Sequence, residues 1–334
     1  MNSLPSAYPP RGRTAWILAQ RPPRPAAPDP DAPHGVFLER ERLESGAVVN
    51  SGAVLLTNRE CPWRCLMCDL WKDTTRQSVP EGAITRQVEF AVRTWSDAGT
   101  LPMQVKLYNS GSFFDPAAIP PADYAPIARQ IAFAGQVVVE SHPLLVGDRA
   151  RVLRDLLSGS LEVALGLETA HPEVLEKLNK KFDLAQFARA AEFLAAERIA
   201  LRAFILVHPP FMNEAEGAEW VIKSAEFAFS CGATAVTLIP TRAGNGAMER
   251  LRESGEFVPP TLAMLEAAQR GALALGRGRV FADIWALEPF SACPHCFAAR
   301  RERLETVNLT QRDAPPVRCE SCGGVVSAER FRSG

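Results

Sequence analysis

From position 53 onward the chain alternates short apolar, β-branched runs with longer amphipathic patterns, and this alternation limits its fold more than any other feature. Runs at 53–57, 104–109, 136–140, 161–167, 201–207, 234–239 and 280–285 read as strands. Between them, near 84–98, 122–134, 148–158, 183–197, 214–231 and 261–275, apolar residues recur at helical spacing, as in Phe187, Ala190, Ala191 and Leu194. Strands that are apolar on both faces suit a parallel sheet covered on both sides. Strand–helix repetition with short connections then calls for right-handed crossovers. Six or seven such units predict an α/β fold, a partial (β/α) TIM-type barrel. A dinucleotide fold fits less well, because Asn58-Arg59-Glu60-Cys61 follows the first run where a Gly-x-Gly-x-x-Gly would be needed. In such barrels chemistry gathers at the carboxyl ends of the strands.

Residues 1–35 read as a Pro-rich N-terminal tail, extended over 22–33. The segment 36–51, with a turn at Asn50-Ser51-Gly52, predicts a hairpin capping the barrel floor, so that hairpin and barrel together span 36–287. Residues 288–334 form a separate small module. A formal charge of −1 and a pI near 6.6 argue against a broadly basic nucleic-acid-binding body, though net charge does not exclude a local basic patch. No apolar run approaches the roughly 18 residues that span a bilayer, and no secretory h-region is evident, so a soluble cytoplasmic protein is expected.

Eight cysteines without an export signal read as metal ligands before disulfides. Cys231 stands alone at the end of an apolar helix and reads as a small buried residue. Cys61, Cys65 and Cys68 lie directly after the first strand. Three thiolates on one short loop can ligate three irons of a [4Fe–4S] cluster and leave the fourth open. A zinc site would need a fourth ligand, which His142 or His208 could supply.

Cys61-Pro62-Trp63-Arg64-Cys65-Leu66-Met67-Cys68-Asp69 resembles the signature of the radical-SAM superfamily, with Met67 where an aromatic residue is usual. That resemblance implies that the open iron chelates S-adenosylmethionine. Electron transfer from a reductant such as ferredoxin or flavodoxin would yield a 5′-deoxyadenosyl radical that abstracts a substrate hydrogen. It also implies cofactor contacts from the strand ends. Ser110, Gly111 and Ser112 stand where the family carries a glycine-rich turn approached by the methionyl amine. Glu140 and Glu168 would hold that amine and the ribose hydroxyls, with a structural ion pair as the alternative. Arg202 would take the methionyl carboxylate, and Ile239 would lie against adenine. His208 closes the fifth parallel strand and would face substrate unless it is structural. Lys180 and Lys181 are candidates for a substrate phosphate or carboxylate, or a solvated pair.

Cys293-x-x-Cys296 and Cys319-x-x-Cys322, the second pair followed by glycines, predict a four-cysteine, zinc-ribbon-like module holding Zn2+, with a second iron–sulfur cluster as the rival. His295, inside the first knuckle, is not needed as a ligand. Arg300, Arg301, Arg303, Arg312 and Arg318 cluster around these cysteines and could touch an RNA backbone.

The phrases 110–116, Val139-Glu140-Ser141-His142-Pro143 and Gly166-Leu167-Glu168-Thr169 resemble the radical-SAM subunit family of archaeosine synthase. More distantly they resemble the catalytic subunit of Elongator and the methylthiotransferases. The likeness covers roughly 36–297. It implies carbon–nitrogen bond cleavage on a lysine-modified 7-deazaguanosine in tRNA, with a partner subunit that brings the tRNA. The alternatives are a radical-SAM enzyme acting on another nucleoside or a small metabolite and, in a different class, a non-catalytic zinc-ribbon RNA-binding protein.

Overall fold

A computed structural model describes residues 6–322 and the backbone of 324–325. Eight strands form one curled sheet in chain order. They are β1 (Gly35–Arg42), β2 (Val48–Leu55), β3 (Gln104–Tyr108), β4 (Gln136–Ser141), β5 (Ser160–Glu168), β6 (Ala200–Val207), β7 (Ala235–Pro240) and β8 (Arg279–Ala282). β1 runs antiparallel to β2, and every later neighbour is parallel. The result is a half-barrel whose edges are β1 and β8.

The helices are α1 (Arg13–Gln20), α2 (Ala83–Asp97), α3 (Tyr124–Gln130), α4 (Asp148–Leu156), α5 (Pro172–Lys177), α6 (Leu184–Ala196), α7 (Glu214–Ser230), α8 (Ala247–Glu253), α9 (Leu262–Ala274) and α10 (Pro294–Thr310). Capping boxes at Asp183/Gln186 and Asn213/Glu216 set the starts of α6 and α7. Alternate strand residues, among them Val105, Leu107, Val137, Val139, Val163, Leu165, Ala203, Ile205, Val236 and Leu238, are buried in one core with apolar helix residues such as Phe187, Leu194, Ala225 and Leu265. Close approach is required at one point of this layer. The Trp95 ring lies 2.4 Å from where a side chain on Gly52 would begin.

The hairpin before the barrel is displaced from its expected place. Its turn falls at 43–47, where Gly46 takes φ 89°, and 50–52 are strand. β1 is therefore the first strand of the sheet, not a floor cap. It sends Glu39 and Glu41 toward Lys106 and Arg202. Arg202 also pairs with Glu162, which accepts a second bond from Arg279 at 3.0 Å. Three carboxylates and three cations thus balance inside the amino-terminal half of the barrel. Burial alone would raise the Glu41 pKa, but Arg202 and then Lys106 hold it far below the usual carboxylate range.

Two flanking segments are docked where the sequence suggested appendages. In the expected tail, Tyr8 and Ile17 are buried with Leu66, Met248, Leu251 and Phe257 in a second apolar cluster. The Pro-rich stretch after α1 lacks regular structure, yet Arg24 bonds to Glu60 and Asp31 pairs with Arg86. At the other end, α10 lies against both edge strands. Asn308 bonds to the N–H (2.8 Å) and C=O (2.9 Å) of Ala282, and Gln311 to those of Val280 (2.6 and 3.1 Å). These side-chain amides stand in for a ninth strand and cover an edge that would otherwise template aggregation. Among the described residues no helix is long and apolar enough to cross a membrane.

Candidate iron–sulfur and cofactor site

The loop after β2 carries Cys61, Cys65 and Cys68, and its main chain is held from three sides. The Leu66 N–H donates to the Leu178 carbonyl at 2.9 Å. Asn179 Nδ2 donates to the Arg64 carbonyl at 2.6 Å. Asn245 Nδ2 donates to the carbonyls of Leu66 (2.6 Å) and Cys68 (3.2 Å). Glu60, one residue before the first cysteine, accepts from Arg21 and Arg24 and lies 3.3 Å from the Arg64 Nε. The Leu66 side chain anchors the loop in the cluster shared with Tyr8 and Ile17.

Burial pushes the three thiols up to about 12, 11 and 12 for Cys61, Cys65 and Cys68. They become thiolates near neutral pH only beside positive charge, which iron would supply. Their sulfurs are not all within 4.8 Å of one another, a spread that suits ligands to separate irons of one cluster better than ligands to one ion. The residues present therefore fit a [4Fe–4S] group held by these three cysteines.

The glycine-rich turn after β3 abuts this loop. A side chain on Gly111 would begin 3.2 Å from the Cys61 Cβ. The N–H groups of Asn109 and Gly111 donate to Glu140 at the end of β4, and the hydroxyls of Ser112 and Ser141 lie 2.8 Å apart. Ser110 takes φ 55° within the turn. Burial raises the Glu140 pKa, and the turn's amides partly oppose this. Both amide atoms of Asn109 are buried without a protein partner. Next to the cysteine loop, such orphans fit a polar ligand.

Glu168, at the end of β5 with φ 67°, pairs with Lys180 at 2.7 Å. Burial would lower the Lys180 pKa, but Glu168 and then Cys65 raise it above its ordinary value. Lys180 is thus a buried cation facing the cysteines, while Lys181 is exposed. Ile239 is half-buried near the end of β7. His142 is brought close but is not a ligand. It stacks on Trp63 at 3.7 Å, its Nε2 bonds to the Lys180 carbonyl (2.8 Å), and its Nδ1 accepts from the Leu144 N–H (3.2 Å). Burial lowers its pKa to about 3.

One expected cofactor contact is engaged elsewhere. Arg202 is the third residue of β6, about five residues or 16 Å of strand below its carboxyl end, and its guanidinium is consumed by Glu41 and Glu162. It is not free to meet a methionyl carboxylate. His208, directly after β6, takes φ 54° and is buried; its ring packs against Gly217 of α7, and Nδ1 bonds to the Val258 carbonyl at 2.8 Å. Sequence reasoning missed Glu60, Asn179 and Asn245. The only sequence signals were a lone Asn between glycines at 245 and an Asn, the residue type that best tolerates the left-handed region, at 179 (φ 59°).

Cys293, Cys296, Cys319 and Cys322 place all four sulfurs within 4.8 Å of one another, the tightest such group among the described residues. Cys293 and Cys319 are 4.0 Å apart, and Cys296 and Cys322 are 3.8 Å apart. Sulfurs about 2.3 Å from one tetrahedral ion would be about 3.8 Å apart. The group therefore fits a single closed ion and is too tight for a multi-iron cluster. The first pair stands at the start of the 17-residue α10, while β9 (Arg318–Cys319) and β10 (Gly324–Val325) form a short hairpin beside it. Backbone N–H groups of this turn lower the Cys293 pKa to about 6. Arg300 and Arg303 are buried and paired with Glu266 and Asp313, which removes them from the basic surface expected around the cysteines. Residues 323 and 326–334 of the expected module lie outside those described.

No family model matches the chain. It is 23% identical over 301 residues to an uncharacterized protein of Methanocaldococcus jannaschii, covering 85% of this chain and 82% of that one. It is 25% identical over 293 residues to the archaeosine synthase subunit beta of Methanosarcina acetivorans, covering 81% and 82%. The corresponding subunit of Thermococcus kodakarensis is 28% identical over 211 residues, covering 59% and 63%. Among solved structures, the Methanocaldococcus infernus Elp3 shares the fold with a TM-score of 0.51 at 13% identity, covering 67% of this chain and 59% of that protein. With the cysteine loop and half-barrel, the chain is similar to enzymes of the radical-SAM type. Within that class the chain is archaeosine-synthase-like.

Proposed function

We propose that the chain acts on a lysine-modified 7-deazaguanosine in tRNA, breaking a carbon–nitrogen bond of the lysyl side chain. The observation that carries this is likeness to two archaeosine synthase beta subunits, one of them along four-fifths of both chains. Cys61, Cys65 and Cys68 would hold the cluster. Bound there, the cluster and S-adenosylmethionine supply a carbon radical able to abstract a substrate hydrogen. Glu140, near the end of β4, accepts from the Asn109 and Gly111 N–H groups and would hold the glycine-rich turn in place for the cofactor. Glu168 pairs with Lys180, so the two side chains together would face polar groups of the cofactor. The N-terminal segment and the Asn245 clamp keep the loop ordered and water away from it.

Ser110, Gly111, Ser112 and Ile239 complete the proposed cofactor contacts. The C-terminal thiols are proposed to hold Zn2+, on the strength of their 3.8–4.0 Å separations. A ferredoxin- or flavodoxin-type reductant, a partner subunit that delivers tRNA and a cytoplasmic location belong to the same proposal. The test is a nucleoside profile of tRNA from a deletion strain. Accumulation of the lysine adduct supports the assignment, and an unchanged profile refutes the substrate while leaving the radical chemistry standing.

A further inference from the structure

Most buried guanidiniums of this chain meet a carboxylate: Arg202, Arg279, Arg300 and Arg303 all do. One recess departs from that pattern. It lies at the carboxyl end of α10, beside the β1–β2 hairpin and far along the strands from the cysteine loop. It encloses about 480 Å³, and Arg40, Arg42 and Arg312 line it with Thr306 and Thr310, while Val48 and Leu309 form its apolar wall. No acidic residue lines it. Among the described residues, none of the three guanidiniums has a carboxylate oxygen within 4.0 Å. Arg42 is half-buried and donates once, at 3.3 Å, to the Leu309 carbonyl at the helix end; Arg40 and Arg312 are exposed.

The exposed end of α10 accounts for one cation there but not for three. Like charges converging on one hollow repel unless an anion lies between them. The Thr310 hydroxyl donates to the Thr306 carbonyl at 2.8 Å, and the guanidinium forks with the Thr306 hydroxyl match the oxygens of a phosphate group. We propose that this recess is a phosphate-binding site, taking either the phosphodiester backbone of an RNA or a free phosphate or nucleotide. The assignment stands apart from the identity of the modified base, because it rests on the recess alone.

The test uses the full-length, reconstituted enzyme. Binding of unfractionated tRNA and of inorganic pyrophosphate is measured against salt for the wild type, for Arg40→Ala/Arg312→Ala, and for a charge-matched control, Arg93→Ala/Arg277→Ala. None of these four side chains touches the cysteine loop, so substrate-free 5′-deoxyadenosine formation stays unchanged and reports an intact fold. In the recess variant, tRNA affinity should fall about tenfold and its salt slope by about two, with the control within about twofold of wild type. Loss of tRNA binding with or without loss of pyrophosphate binding supports an RNA backbone. Loss of pyrophosphate binding alone supports a free phosphate or nucleotide. Recess and control variants that bind both probes equally would overturn the site.

Discussion

The molecule gathers cysteines twice, and the two groups are built on opposite principles. The C-terminal four converge within 4.8 Å, ligands enough to close a tetrahedron and exclude a further partner. The three after β2 are spread along a loop whose carbonyls are tied to Asn179 and Asn245, with Gly111, Glu140 and the Glu168–Lys180 pair arrayed around it. One group spends its ligands on holding α10 across the open side of the half-barrel. The other offers three thiols and surrounds them with polar groups.

Exchanging the roles experimentally should have the largest effect. Cys65→Ser should reduce 5′-deoxyadenosine formation to background with little change in melting temperature. Cys296→Ser should do the reverse: activity per bound cluster is retained, while the protein melts earlier and is cut more readily after residue 290. Next in size is Arg202. As part of a buried balanced network, Arg202→Met leaves Glu41 and Glu162 short of a cation and should cost about 3–5 kcal/mol in urea denaturation. The KM for S-adenosylmethionine of the folded fraction should not move, whereas a cofactor-contact role would raise it.

Asn245→Ala leaves two loop carbonyls without their donor, a penalty of about 1–3 kcal/mol that falls on the loop. The expected result is faster loss of the iron–sulfur absorbance under chelator at an almost unchanged global melting temperature. The smallest effect concerns pH. His142 has a folded pKa of about 3, below the roughly 6.5 of an unfolded histidine, so the unfolded chain binds more protons between those values. Its contribution is complete above about pH 6.5 and is lost as pH falls toward 3. His142→Phe should flatten that part of the stability curve, as followed by thermal denaturation across the window.

What could be read from sequence follows from the range of the interactions involved. Strand and helix periodicity is local, so β3 to β7 fall within a residue or two of expectation, and the cysteine spacing carries its own chemistry. Two signals competed for the hairpin turn, Ser45-Gly46 and Ser51-Gly52. The chain turns at the first, which places Glu41 beside Arg202. Arg202 lies near the start of its strand, a position legible in advance that already argued against a role at the carboxyl end. The docking of Tyr8 and Ile17 was hidden because α1 is eight residues long and flanked by prolines, and its apolar face meets residues as distant in sequence as Leu66, Met248 and Phe257. Lys180 looked like half of a solvated pair; only the fold reveals that it turns inward to Glu168 while Lys181 turns out.

The contrast between an open and a closed thiol site is tested most directly by metal and sulfide analysis of anaerobically reconstituted protein, wild type and Cys61→Ser/Cys65→Ser/Cys68→Ser. The wild type should carry about four irons with matching sulfide and one further ion, and should form 5′-deoxyadenosine when given S-adenosylmethionine and reductant. The triple variant should keep only the single ion. Iron and sulfide retained in the variant, or no 5′-deoxyadenosine from a fully loaded wild type, would contradict the account.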